Sequence, residues 1–376
     1  MRAAYIHIPF CQHICHYCDF NKVFIEKQPV DEYLVMLIKE MSLTLEQEPA
    51  ASLHTIFVGG GTPTALNEKQ LAVLCKGIRE TLPFHTGEFT FEANPGDLSK
   101  EKLQILHEYG VNRLSFGVQS FHNDLLEKIG RSHRAEDVYT SIEHAQAIGI
   151  NNISIDLMYA LPGQTEAQFH DTLTKAIALQ LPHYSIYSLI VEPKTIFYNL
   201  MKKGKLHLPT EDSEASMYEL AMDVMQEAGL HQYEISNFSK QGFESKHNLV
   251  YWNNEAYYGF GAGAHSYING IRRSNYGPLK HYMTPLTENK LPIYEEQLLT
   301  VKEKMEEEMF LGLRKTAGVS IERFEEKFSY KLKDVFTKPI QAMTSRGLLE
   351  EKEGALRLTT RGKFFGNEVF QAFLLS

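Results

Sequence analysis

A rhythm constrains this chain more than any other feature. From the start to about residue 195, short β-branched or aromatic runs alternate with longer amphipathic ones. The alternation predicts strands at Tyr5–Ile8, Thr55–Val58, Glu88–Glu92, Arg113–Gly117, Ile153–Met158 and Tyr184–Ser188, and helices over 31–47, 67–80, 99–109, 122–129, 135–148 and 165–179. Pro29 and Ser99 sit where helices start, and Gly110 and Gly149 where they stop. Strand and helix in strict succession imply a parallel sheet, because parallel neighbours need a crossover between them. The six units fall short of the eight that close a standard barrel, which leaves a partial barrel or an open doubly wound sheet. Polar and glycine residues follow each strand: the cysteines, then Gly59-Gly60-Gly61-Thr62-Pro63, Glu92-Ala93-Asn94-Pro95, Gln119-Ser120, Asp156 with Leu161-Pro162-Gly163, and Ser188-Leu189-Ile190. Ligands in both architectures lie outside the carboxyl ends of the strands, so all the units point at one site.

Beyond Pro193 the rhythm breaks. A helical pattern near 211–228 ends at Gly229, a strand-like His231–Ile235 follows, and the stretch 247–276 is rich in aromatics and glycine. Charged helical patterns at Glu303–Leu313, Ile321–Phe328 and Asp334–Arg346 then precede a hairpin over 348–358 and a last helix, which together read as winged-helix-like. The expected division is a partial barrel over 1–195, an extension of that barrel over 196–295 that carries the motif at 247–252, and a winged-helix-like domain over 296–376. With 376 residues and 43% hydrophobic content the chain has ample material for large cores. Its net charge of −9 leaves no overall footprint for a long nucleic acid, which also weighs against reading the C-terminal region as a nucleic-acid binder. No apolar run is long enough to span a bilayer, and Met1-Arg2-Ala3-Ala4-Tyr5 leads into a strand pattern instead of a signal peptide. A cytoplasmic location is the expectation.

Cys11, Cys15 and Cys18 crowd into one loop of about twenty residues between the first strand and the first helix, whereas Cys75 reads as a buried helix residue. Disulfide frameworks are more numerous and more dispersed, so a metal is indicated. Three thiolates on a [4Fe–4S] cluster leave one iron open to a small molecule. A zinc site completed by His7, His13 or His16, or simple free thiols, are the alternatives.

The run from Tyr5 through Pro9-Phe10-Cys11 to Cys15 and Tyr17-Cys18 resembles the signature of the radical S-adenosylmethionine (SAM) superfamily. The similarity covers most of the chain and is greatest to the oxygen-independent coproporphyrinogen oxidase group, in particular to its haem-chaperone branch. It implies a partial (β/α)6 barrel, a [4Fe–4S] cluster on Cys11, Cys15 and Cys18, and SAM bound at the open iron. By the same resemblance Gly60, Gly61 and Thr62 form the loop that receives the SAM amino group, and Arg131 pairs with its carboxylate. Glu92, Gln119, Asp156 and Ile190 take further cofactor positions, with Tyr5 packing over cluster or adenosine and Tyr17 screening the cluster. The chemistry agrees: glycines permit close carbonyl approach, and a guanidinium suits a carboxylate.

Two departures weigh against the oxidase. Phe20 occupies the position where the oxidases carry a further cysteine, and the first strand begins at residue 5 where they have a long preceding segment. His247-Asn248-Leu249-Val250-Tyr251-Trp252 contains the lone tryptophan and resembles the haem-binding element of the chaperone branch. Imidazole ligates haem iron and aromatic rings offer flat apolar surface, so His247, Tyr251 and Trp252 are the candidate haem residues. His265, set among glycines, reads as structural. The resemblance implies haem as cargo, apo-haemoproteins such as respiratory enzymes as acceptors, and an electron donor for the cluster. Coproporphyrinogen decarboxylation is the competing activity. Homodimerisation and peripheral membrane contact through the acceptors stay open.

Overall fold

The computed structural model describes residues 2–375, and the expected alternation is present with each element within a few residues of its anticipated bounds. The strands are β1 (Ala3–Ile8), β2 (Leu53–Gly60), β3 (Phe84–Ala93), β4 (Arg113–Gln119), β5 (Asn152–Tyr159) and β6 (His183–Ser188). Between them run α1 (Val30–Gln47), α2 (Glu68–Thr81), α3 (Lys100–Glu108), α4 (Asn123–Lys128), α5 (Ala135–Ala147) and α6 (Glu166–Ala178). Local chemistry sets several helix starts. Asn67 and Gln70 form a reciprocal capping box on α2, Thr165 and Gln168 do the same on α6, and Ser99 caps α3. The six strands are parallel and adjacent in chain order, and Ile6, Ile56, Phe91, Phe116 and Ile155 belong to one continuous core.

The region 196–295 adds strands to that sheet at both ends. After α7 (Ile196–Lys202) and α8 (Glu211–Glu227), β7 (His231–Glu234) and β8 (Asn237–Ser239) pair antiparallel beyond β6. Helix α9 (Lys246–Trp252) follows, then β9 (Tyr257–Phe260), β10 (His265–Ile268), β11 (Ile271–Asn275), α10 (Leu279–Thr287) and β12 (Ile293–Leu298). Strand β9 lies parallel to β1, and the next three continue antiparallel. The resulting 12-stranded sheet runs β12-β11-β10-β9-β1-β2-β3-β4-β5-β6-β8-β7, and its two outer strands do not pair with each other. It is a partial barrel with a lateral opening.

The C-terminal α+β region comprises α11 (Val301–Gly312), β13 (Val319–Ser320), α12 (Ile321–Phe328), α13 (Leu332–Val335), α14 (Thr337–Ser345), the hairpin β14 (Leu349–Lys352) and β15 (Ala355–Leu358), α15 (Thr360–Phe364) and α16 (Gly366–Ala372). Phe336 splits the single helix expected over Asp334–Arg346. Its backbone leaves the helical region at φ −111°, and its fully buried ring lies 5.3 Å from that of Phe373. Among the described residues no helix is long and apolar enough to cross a membrane.

Candidate functional site

The loop after β1 is pinned from several sides. The Val23 amide donates to the Pro9 carbonyl (2.8 Å) and that of Ile25 to Cys11 (2.9 Å), so the chain folds back beside its own start. The His16 amide donates to the Ile129 carbonyl (3.0 Å), and the Asn21 side chain donates to Ala262 (2.8 Å) and Gly277 (3.0 Å). Cys11, Cys15 and Cys18 thereby line one cavity at the carboxyl ends of the strands, with Gly60, Thr62, Glu92, Gln119, Arg131 and Asp156 around them. Cys75 is buried in α2, as its pattern implied.

Two of the histidines proposed to complete a zinc site are engaged elsewhere. His7 is buried, with Nδ1 at 3.0 Å from the Tyr5 hydroxyl and Nε2 at 2.7 Å from the Asn21 carbonyl. His16 Nδ1 lies 2.9 Å from the Lys128 carbonyl. Among the described residues no three His, Cys, Asp or Glu side chains form a group that could hold a single metal ion. Three thiols along one cavity wall are the donor set that a multi-iron cluster with one open iron calls for.

The cavity walls have the chemistry of a zwitterion site. Burial pushes the Cys11 thiol up to about 11, and raises Cys18 as well, so both remain protonated until a metal displaces the proton. Thr62 Oγ1 donates to Cys11 Sγ at 3.7 Å and Arg131 Nη1 to Cys15 Sγ at 3.4 Å. Arg131 also donates to the Gly117 carbonyl, while its buried Nε has no partner. Glu92 Oε2 accepts from the Gly60 amide (3.0 Å), and burial followed by the neighbouring Asp156 raises its carboxyl to about 8. Asp156 is likewise raised by burial and accepts from Ser115 Oγ at 3.3 Å. A half-buried acid pair beside a half-buried guanidinium suits a ligand carrying both charges.

Close approach explains the glycine run. A Cβ on Gly61 would meet Cys11 Sγ at 2.9 Å, and Gly60, at φ +115°, would bring one to 2.5 Å from the His7 ring. Gln119, at the end of β4, is held at φ +67° although it is not glycine, an unfavourable backbone state of the kind found at binding sites.

Not every candidate joins this cavity. Tyr17 lines it, but Tyr5 instead stacks on Phe57 (6.2 Å between ring centres) and faces a second chamber deeper in the barrel. Ile190 lies beyond β6, is 65% exposed, and belongs neither to the cavity nor to the core. His265 is exposed, but the glycines around it do mediate close packing: a Cβ on Gly259 would strike the His265 carbonyl.

The hexapeptide 247–252 forms α9, which lies across the amino-terminal end of the barrel. Glu88, midway along β3, accepts from the Lys246 (3.1 Å) and His247 (3.0 Å) amides. His247 is 1% exposed, with Nδ1 at 2.9 Å from Thr55 Oγ1 and Nε2 at 2.8 Å from the Tyr251 hydroxyl. Burial, then the nearby Arg113, lowers its pKa to about 3 and keeps the ring neutral. Tyr251 faces the deeper chamber, whereas Trp252 packs under the Arg314 guanidinium at 4.4 Å. The structure therefore does not bring Tyr251 and Trp252 together on one flat face. It does bring His247 to a chamber bordering the thiol cavity, although the two motifs are remote in sequence.

The partial barrel and its thiol cavity define a protein of the radical SAM class, and the sequence pattern of the radical SAM superfamily matches residues 5–176. That of the HemN C-terminal domain matches residues 299–365. The chain belongs to the HemW family: it is 57% identical to the heme chaperone HemW of Bacillus subtilis over 100% of this chain and 99% of that one. It is also 47% identical to the heme chaperone HemW of Lactococcus lactis, over 99% of this chain and 97% of that one. In fold it matches coproporphyrinogen III oxidase (HemN) from Escherichia coli, a radical SAM enzyme, with a TM-score of 0.86 over 99% of this chain and 90% of that one, at 24% identity. Membership of the superfamily implies a [4Fe–4S] cluster and SAM as cofactors.

Proposed function

We propose that the protein is a haem chaperone that binds haem, a [4Fe–4S] cluster and SAM, and passes haem to apo-haemoproteins such as respiratory enzymes. The observation that carries this reading is the end-to-end similarity to proteins named as heme chaperones. The three thiols lining one cavity add to it.

In this reading Cys11, Cys15 and Cys18 hold three irons and leave one open, and the cluster supplies a reducible metal centre next to SAM. Arg131 faces the methionine carboxylate, the Gly60–Thr62 backbone receives the amino group, and Glu92, Gln119 and Asp156 offer acceptors. Glu92 is poised to give up its proton when a cation arrives, because burial and then the neighbouring Asp156 hold that proton on. His247 serves haem from inside the barrel. Its Nε2 is free for a ligand only once the Tyr251 hydroxyl lets go.

The second reading, coproporphyrinogen decarboxylation, is favoured by the fold match. One experiment separates the two. Anaerobically reconstituted protein is given haemin in one arm, and coproporphyrinogen with SAM and a reductant in the other. The chaperone reading expects a haem spectrum, transfer to an apo-acceptor, and loss of loading in His247→Ala with the cluster retained. Multiple turnovers of decarboxylation, with haem affinity unaffected by His247→Ala, would establish the oxidase instead.

A further inference from the structure

The deeper chamber encloses about 240 Å³ between the thiol cavity and α9, and Glu92, Ser115 and Asp156 line both spaces. Its walls include the rings of Tyr5, Phe57 and Tyr251. Arg113, the first residue of β4, also faces it, and the side chain is 2% exposed. Its Nε has no hydrogen-bond partner, and among the described residues no carboxylate forms an ion pair with its guanidinium. The nearby acids have closer ties: Asp156 feels the Arg113 charge without forming an ion pair with it and accepts from Ser115, and Glu92 accepts from the Gly60 amide. Its imidazole neighbours carry no negative charge to offer, and burial together with Arg113 itself keeps His183 and His247 neutral.

Burying a cation without an anion is costly, and a chain gains nothing structural from it. Such a group is retained where an anion arrives with a ligand. A guanidinium presents paired donors that match a carboxylate. The chamber is smaller than the roughly 300–1,000 Å³ of sites that engulf a whole ligand. It suits an acid arm with a short aliphatic stem against aromatic walls.

We propose that the deeper chamber is a carboxylate site in which Arg113 receives an acid arm of the ligand carried at the barrel mouth. On the haem reading above, on which the identity of that arm rests, it is a haem propionate. Arg113 is then a specificity determinant for the free acid, separate from any residue that ligates iron.

Haemin and haemin dimethyl ester differ only in whether the acid arms are free, and both are titrated against anaerobically reconstituted wild type, Arg113→Met and Arg113→Lys. The wild type is expected to prefer the diacid by roughly ten- to hundredfold, the range of a charge-assisted hydrogen bond. Arg113→Met should lose that preference with ester binding intact, and Arg113→Lys should keep part of it. Removing a buried charge that has no ion-pair partner at nearly constant volume should leave the Tm of ligand-free Arg113→Met unchanged or raised. An acid preference that survives in Arg113→Met, or none in the wild type, overturns the carboxylate site. A lowered Tm with unchanged preference assigns Arg113 to folding and overturns it too. If neither porphyrin binds the wild type, the haem reading falls and the propionate assignment with it. Should Arg113→Met fail to fold, equal affinity of Arg113→Lys for acid and ester decides against the proposal.

Discussion

At the scale of single residues, the thiols carry the sharpest consequences. Cys11, Cys15 and Cys18 line one cavity and Cys75 lies apart in α2. Replacing any of the three with Ala should abolish reducible iron–sulfur absorption after anaerobic reconstitution, whereas Cys75→Ala should retain it. A stoichiometric zinc content with no capacity for iron and sulfide would refute the cluster assignment. Arg131 offers a second test. Its Nη1 touches Cys15 Sγ at 3.4 Å and its Nε is unpartnered, so it is positioned for an anion. Arg131→Ala should weaken SAM binding by about 1.5–3 kcal/mol, the scale of a hydrogen bond to a charged group. Calorimetry on cluster-loaded protein checks this, and unchanged affinity removes Arg131 from the site. The thiols and Arg131 are legible in the sequence because spacing and resemblance mark them. Arg113 is not, because at the head of a strand pattern an arginine reads as solvent-facing, and its burial depends on elements remote in sequence, with His183, Tyr233 and His247 among its neighbours.

At the scale of elements, the sequence speaks clearly where one period persists and poorly where it changes within a few residues. The strands and helices of the first half carry sustained patterns with caps such as Asn67 and Ser99, and they are found as expected. The stretch from α9 to β12 is built of short elements rich in tyrosine and glycine, which give neither helical nor alternating periodicity room to show. Its placement is set by long-range polar contacts instead. Glu40 of α1 accepts from the Gly261 amide (2.8 Å), the Asn275 amide group (2.6 Å) and the Tyr282 hydroxyl (2.6 Å), and so fastens β9, β11 and α10 to the barrel. Burial raises its carboxyl to about 7 against the pull of these hydrogen bonds. An acid raised in the folded state holds a proton that the unfolded chain has already released. Its contribution is therefore greatest below the ordinary glutamate range, near 4.5, declines as pH rises towards 7, and is constant above that. Glu40→Gln should remove this part of the pH slope. It should also lower stability by about 1–3 kcal/mol at neutral pH, because one amide oxygen must serve three donors. Thermal melts of both proteins at pH 5, 6, 7 and 8 read out the two effects, and parallel pH profiles would contradict the assignment.

At the scale of the whole molecule, the two largest of three apolar clusters meet across a largely polar seam. One fills the barrel and its helices; the other, built around Met309, Phe324, Phe336, Leu348, Val369 and Phe373, belongs to the C-terminal region. The contacts between them include polar ones, Arg272 with Glu307 (2.7 Å), Lys315 with Asn253 (2.6 Å) and Arg314 over Trp252 at 4.4 Å, beside Ile235 packed on the second core and Tyr218 edge-on to Phe364 at 5.3 Å. Polar interfaces of this kind couple domains weakly compared with a shared core. Phe336 tests the consequence, since it is fully buried against Phe324 and Phe373 and touches only the second core. Phe336→Ala should cost about 3–5 kcal/mol, as other deletions of buried aromatic rings do. The loss should fall on the C-terminal region alone, appearing in calorimetry as an earlier transition while the barrel transition and iron–sulfur absorption stay in place. A single cooperative transition that shifts as a whole would show that the seam binds the two cores into one folding unit. Trp252 and Arg314 would then link the state of α9, and of the chamber above it, to the C-terminal region.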